Sequence, residues 1–320
     1  MAGAGAIGCA GTPAAKRLGK AARWLFLATM VLWLVLKVRA IGWREVASSL
    51  PVEPLFYILF FVNFLVLPAS ETIVFRWILR RPLPGAFPVL IQKRVYNSAL
   101  VGYSGELVFL LWLKNRLKLA TKPVLLALKD NAILSAVASG LVTAGLLVAF
   151  AAGGHARQIA HWLHPGPALL IAGGLGAAFV LPLLFRLRKR LITLPAGTAW
   201  GVLGIHVARI ALVVLLQATQ WAVVLPAERW STWLVFLTAQ MVISRLPIVP
   251  NRDLLFLSAG LEMSNTIAGP RAAMAGLLLA GGALTQGMNL AFFVITALLP
   301  KPPVGEGEPE DDGEKIAGVP

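Results

Sequence analysis

Twice along this chain, two apolar stretches flank a polar break containing Gly or Pro. No arm of either pair reaches the ~20 residues that cross a bilayer as a helix. The first pair is 86–101 and 106–113, around Gly102, Tyr103, Ser104, Gly105 and Glu106. The second is 233–249 and 254–267, around Pro247, Pro250, Asn251, Arg252 and Asp253. Each pair predicts a hairpin that enters the membrane and turns back. Irregular backbone at that depth is tolerated only inside protein or along a cavity. Around the hairpins the pattern predicts six spanning helices, at 24–38, 55–75, 131–151, 168–185, 198–224 and 272–299. The second opens on an uninterrupted apolar run from Leu55 to Leu67, as a lipid-exposed helix does.

The order of elements is helix, helix, hairpin, helix, and then the same again. Lys and Arg give the orientation. Lys16, Arg17, Lys20 and Arg23 lie on one side with Arg76, Arg80 and Arg81. Lys114, Arg116, Lys118, Lys122 and Lys129, ahead of the third helix, and the run at 186–190 fall there too. The other side carries Arg157 and Arg229, with Lys37, Arg39 and Arg44 running against the rule. Both termini are therefore expected in the cytoplasm. The two halves then have opposite topology, which is the inverted-repeat plan of transporters, with a site where broken elements meet near the midplane. The expected fold class is an all-α integral membrane protein with about six transmembrane helices plus two re-entrant hairpins in an inverted repeat. A basic N-terminal segment, 1–23, precedes a transmembrane domain, 24–299, with halves at 24–151 and 168–299. A disordered acidic tail follows at 300–320.

Composition agrees. Apolar residues make up 58% of the chain and charged residues 13%, about half the share in an ordinary soluble domain. The net charge of +15 invites a nucleic-acid reading, but the bases stand at the ends of apolar spans, where membrane topology wants them. No nucleic-acid partner is expected. Cys9 is the single cysteine, so no internal disulfide forms. His155, His161 and His164 share one loop without an acid or Cys, and no metal site is expected there. No Walker motif occurs, and Glu106 stands where a nucleophile elbow needs its last Gly. No catalytic residue and no cofactor is assigned.

The candidate chemistry lies at the breaks. Glu106 is a carboxylate at membrane depth, beside Gly102 and Gly105, where backbone approaches a ligand closely. It reads as a site for a cation, proton or headgroup amine, or as an acid in the first turn of a helix. Arg94 and Asn97 share a helical face on the opposite arm and suit a lipid phosphate. Lys93, beside them, is expected to snorkel to the interface. In the second hairpin the candidates are Arg245, Asn251 and Asp253, with Glu262 further on. Arg209, three residues after His206, stands near the centre of a spanning helix and must face protein. It reads as a ligand contact or as the ion-pair partner of Glu106 or Asp130. Gln217 and Gln220 continue the polar stripe.

With these residues in view, the layout over roughly residues 24–299 resembles the flippase-like membrane domain of the lysylphosphatidylglycerol synthase family and its stand-alone relatives. The resemblance is carried by Arg76-Trp77, by Gly105-Glu106 ahead of an apolar run and basic residues, and by Pro247 and Pro250 before a polar turn. Nothing here corresponds to the synthase's soluble aminoacyltransferase domain, so lysyl transfer is not implied. The resemblance implies flipping of a lipid or lipid-linked substrate across a bacterial inner membrane, through a cavity between the hairpins. The candidate substrate residues, read from the charges and glycines at the breaks and in the spanning helix, are Arg94, Asn97, Gly105, Glu106, Arg209, Arg245, Asn251 and Asp253. The expected partner is a membrane phospholipid or other anionic lipid, with a second copy of the chain or a lipid-synthesis enzyme as a further partner. Two alternatives stay open. One is a lipid-headgroup transferase that pairs Glu106 with His206. The other is a non-catalytic accessory protein of a lipid-synthesis enzyme.

Overall fold

The computed structural model describes residues 50–99, 104–152, 191–243 and 271–298. The helices expected at 24–38 and 168–185, the second break at 247–253 and both chain ends lie outside the described residues. What is described is all-α. Seven helices run in chain order among these residues: α1 (Pro54–Leu79), α2 (Ala86–Ala99), α3 (Ser104–Leu117), α4 (Thr121–Ala152), α5 (Ala196–Val224), α6 (Trp230–Ile243) and α7 (Arg271–Leu298). Four of them, α1, α4, α5 and α7, carry stretches long and apolar enough to cross a membrane. Large apolar side chains such as Ile58, Phe61, Leu111, Val148, Leu212 and Ile295 are exposed on the outside of the bundle. Such a surface suits lipid and not water, and the chain is a multi-span membrane protein.

α5 is the hub and packs against α1, α4 and α6. One apolar cluster joins Val74 of α1 to Leu134 and Val137 of α4 and to Ala199 and Val202 of α5. A second joins Phe56 of α1, Trp221 of α5, Trp233 and Phe236 of α6 and Leu277 of α7. α2 and α3, 14 residues each, form an antiparallel helical hairpin. Ser104 at the start of α3 bonds back to the Tyr96 carbonyl near the end of α2, while Trp112 lies beside Gly85, just before α2 begins. At 1.5 Å per residue each arm is about 21 Å long, short of a ~30 Å hydrocarbon core. The base of the hairpin packs Leu83, Ala86 and Leu90 with Phe109 and Leu113 against Phe75 of α1. Its tip reaches back along α1 to Phe64, near the middle of that helix.

Three expectations need correction. α4 begins at Thr121, ten residues ahead of the expected start at 131. Pro123 sits in its first turn, where a missing N–H costs nothing, so Lys122 and Lys129, expected ahead of this helix, stand within it, as does Asp130. Asp130 is fully buried and accepts from the Thr193 and Leu194 N–H groups at 2.9 and 3.0 Å and from the Thr193 hydroxyl at 2.6 Å. It therefore fixes the entry of the chain into α5. The second correction is α1. Phe56 and Phe64 are buried in its first half, and Ser70, Glu71, Thr72, Val74 and Phe75 in its second, while Ile58, Phe61, Ile73 and Trp77 are exposed. The helix thus has a protein-facing side along its length and is not lipid-exposed on all faces. Third, α3 starts at Ser104, so Ser104, Gly105 and Glu106 are helical and Glu106 lies in the first turn.

Candidate functional site

The site begins with Pro68, inside α1. Proline has no N–H, so the carbonyl four residues earlier, that of Phe64, loses its intrahelical donor. Within the membrane such a carbonyl must find another partner. Arg94 supplies it: its Nη1 donates to the Phe64 carbonyl, and its guanidinium lies 4.0 Å from the centre of the Phe64 ring. The ring itself stacks on Phe292 of α7, with centroids 5.4 Å apart. Arg94 is thus clamped at the middle of the bundle by a backbone acceptor and an aromatic face. The turn after Pro68 is polar. The Ser70 and Thr72 hydroxyls both donate at 2.8 Å to carbonyls of this segment, those of Leu67 and Pro68.

Glu71, in the same turn, meets the hairpin. Lys93 Nζ lies 2.6 Å from Glu71 Oε1 and 3.5 Å from Glu106 Oε1. Lys93 does not snorkel: it is 4% exposed, because two carboxylates hold it inside. Three elements, α1, α2 and α3, are tied by this one ammonium. Asn97 closes the hairpin from the other side. Its Oδ1 accepts the Gly105 N–H at 2.8 Å and its Nδ2 donates to Glu106 Oε1 at 3.3 Å. The first satisfies one of the unpaired N–H groups at the start of α3. Gly105 has to be glycine, since a Cβ there would stand 2.1 Å from the Lys93 carbonyl oxygen. Glu106 is both a first-turn acid and a charge facing a cavity. Its Oε2 is buried and accepts no hydrogen bond among the described residues.

The far wall comes from α4 and α5. Arg209, midway along α5, donates through Nη2 to the Ser135 hydroxyl at 3.1 Å. It forms no ion pair with Glu106 or Asp130. Ser135 is its hydrogen-bonded partner, and Asp130 is engaged at the entry to α5. His206 is fully buried, with Nε2 at 3.0 Å from Asn131 Oδ1. Among the described residues no hydrogen bond joins it to Glu106.

Two cavities meet at Arg209. One, of about 350 Å³, is polar and is lined by Glu71, Lys93, Glu106, Asn131 and Ser135. The other, of about 500 Å³, is lined by Arg94 together with Phe56, Phe60, Phe64, Val213 and Leu277. Arg209 and Ile210 line both. Among the described residues this cluster holds three basic side chains, Lys93, Arg94 and Arg209, and two acids, Glu71 and Glu106. Lys93 lies against both acids, while Arg94 and Arg209 are held by neutral partners, the Phe64 carbonyl and the Ser135 hydroxyl. No group of His, Cys, Asp and Glu among the described residues suits a metal ion.

Of the residues expected to bind substrate, Arg94, Asn97, Gly105, Glu106 and Arg209 come together here. Arg245, Asn251 and Asp253 lie outside the described residues. Sequence reasoning missed Glu71. The signal was the run Pro68-Ala69-Ser70-Glu71-Thr72 inside an apolar helix, since a carboxylate within a span points to a site by default. No family model matches this chain, and no curated protein or solved structure matches it either.

Proposed function

We propose that this protein translocates an anionic lipid or lipid-linked substrate across a bacterial inner membrane. The observation that carries this reading is the larger cavity, where Arg94 and Arg209 share one space with a wall of Phe, Val and Leu. A phosphate suits the guanidiniums, which offer paired donors in a plane. Acyl or prenyl chains suit the apolar wall and the lipid beyond it. The resemblance to flippase-like membrane domains supports the same reading. The α2–α3 hairpin would be re-entrant, with its tip near mid-membrane where it meets the centre of α1, and the second break would answer it from the opposite face in an inverted repeat. With no nucleotide motif in the sequence, the drive would be the substrate gradient, the membrane potential or protons carried on Glu106.

The test is reconstitution in liposomes with a fluorescent anionic phospholipid, following how fast inner-leaflet label becomes accessible to a membrane-impermeant quencher. The intact protein is expected to accelerate exchange, and Arg94→Ala and Arg209→Ala to slow it by tenfold or more at equal incorporation. Exchange no faster than in protein-free liposomes, or unaffected by both substitutions, would remove lipid translocation as the function.

A further inference from the structure

The larger cavity has a second chemical feature besides its arginines. Asn63 of α1, Gln217 and Gln220 of α5, Gln240 of α6 and Gln286 of α7 all line it. Four separate helices supply these carboxamides to the same space. Carboxamides in spanning helices are commonly explained as glue between helices. That accounts for two contacts here, the 3.3 Å bond from Gln217 Nε2 to Gln240 Oε1 and the 3.2 Å bond from Gln220 Nε2 to the Phe56 carbonyl. Asn63 and Gln286 make no hydrogen bond among the described residues, and Gln217 and Gln240 line the cavity with no side-chain bond there beyond the one they share.

A carboxamide is uncharged and both donates and accepts. Its best match is a group that does both as well, and a hydroxyl is such a group. A bare phosphate only accepts and would leave the amide oxygens unmatched. A cationic amine only donates and would favour the acids of the neighbouring cavity. We infer that the larger cavity selects an anionic lipid whose headgroup is polyhydroxylated, a polyol or sugar phosphate, with its phosphate on Arg94 and Arg209 and its hydroxyls on the carboxamide ring. This rests on the reading of the two arginines as a phosphate site and adds the headgroup class.

The experiment compares two probes of equal charge. Phosphatidylinositol and phosphatidylmethanol each carry a single negative charge, and only the first has headgroup hydroxyls. Binding of short-chain forms to the purified full-length protein in detergent is followed by native mass spectrometry. Phosphatidylinositol is expected to bind about fivefold tighter or more, the worth of one or two neutral hydrogen bonds. Asn63→Leu with Gln286→Leu spares the Gln217–Gln240 bond. This double substitution is expected to bring phosphatidylinositol down to the level of phosphatidylmethanol and leave the latter unchanged. Arg209→Ala is expected to weaken both. Equal binding of the two lipids by the unaltered protein would overturn the hydroxyl selectivity and leave the phosphate site standing. Binding of neither would overturn both.

Discussion

Arg94 donates to the one carbonyl in the middle of α1, that of Phe64, which Pro68 leaves without a helical partner. The proline and the arginine thus explain each other: the break supplies an acceptor at membrane depth, and the acceptor holds a charge there. A guanidinium tethered by one nitrogen and stacked on a ring keeps its remaining donors for a ligand.

Pro68→Ala is therefore expected to separate stability from function. Alanine restores the N–H, and the Phe64 carbonyl returns to the helical ladder. A proline in a helix interior costs about 3 kcal/mol relative to alanine, so the variant should unfold at the same or a higher temperature. Arg94 loses its tether, and a charge-assisted hydrogen bond of about 1.5 kcal/mol corresponds to roughly tenfold weaker anionic-lipid binding. A variant that binds lipid as well as the parent does would show that Arg94 needs no tether.

The Lys93–Glu71 pair makes a different prediction. Both side chains are buried, so removing one strands the other. Lys93→Met is expected to destabilise by about 3–5 kcal/mol, and Glu71→Gln to do so by a similar amount. The double substitution should cost clearly less than the sum of the two. Thermal unfolding of all four proteins in one detergent gives the coupling, and strict additivity would mean that the ion pair contributes nothing.

The spanning helices were legible because apolar length is a strong signal. The stretch expected at 198–224 is α5 at Ala196–Val224, and that at 272–299 is α7 at Arg271–Leu298. The hairpin was legible from arms too short to span. Arg94, Asn97, Gly105 and Glu106 were legible because charge and glycine stand out against apolar neighbours. The rest was hidden for definite reasons. Lys93 reads the same in sequence whether it snorkels or pairs, and only Glu71 on another helix decides. The start of α4 was expected at 131 because Pro123, Lys129 and Asp130 dilute the apolar period, though all three are helical. Which helices would turn carboxamides into one cavity depends on packing rotations that periodicity does not fix.

Glycine substitutions should rank by what a Cβ would meet. At Gly105 it meets backbone, the Lys93 carbonyl oxygen at 2.1 Å, which cannot move without opening the hairpin. At Gly201 it meets the Trp77 ring at 2.1 Å, and Trp77 is exposed enough to swing away. At Gly204 nothing lies within 4 Å. Gly105→Ala is expected to be the most destabilising, Gly201→Ala intermediate, and Gly204→Ala neutral or stabilising by up to about 1 kcal/mol. Melting temperatures in detergent check the order, and a tolerated Gly105→Ala would contradict the close packing of α2 on α3.

Orientation is expected to follow the basic residues. Arg76, Arg80 and Arg81 close α1, and Lys114 and Arg116 stand in the last turn of α3, both at the base of the hairpin. That end should face the cytoplasm. Single cysteines introduced at Arg81 and at Ala227, in a Cys9→Ser background, should label differently with an impermeant thiol reagent applied from outside. Labelling at 81 and not at 227 would reverse the topology.

Glu106→Gln is expected to lower activity without lowering stability. Glu106 Oε1 sits 3.5 Å from Lys93 and accepts from Asn97, while Glu71 is the nearer partner of the ammonium at 2.6 Å. A glutamine oxygen still accepts from Asn97, and Glu71 still neutralises Lys93, so the fold keeps its ties. What disappears is the negative charge on Oε2, the atom with no hydrogen bond among the described residues, facing the polar cavity. If that charge carries a proton or meets a cationic group during transport, exchange in liposomes should fall by tenfold or more at unchanged expression and melting temperature. Glu71→Gln should do the reverse and lower the melting temperature first. Parental exchange rates in Glu106→Gln would leave this carboxylate as a first-turn acid of α3 and no more.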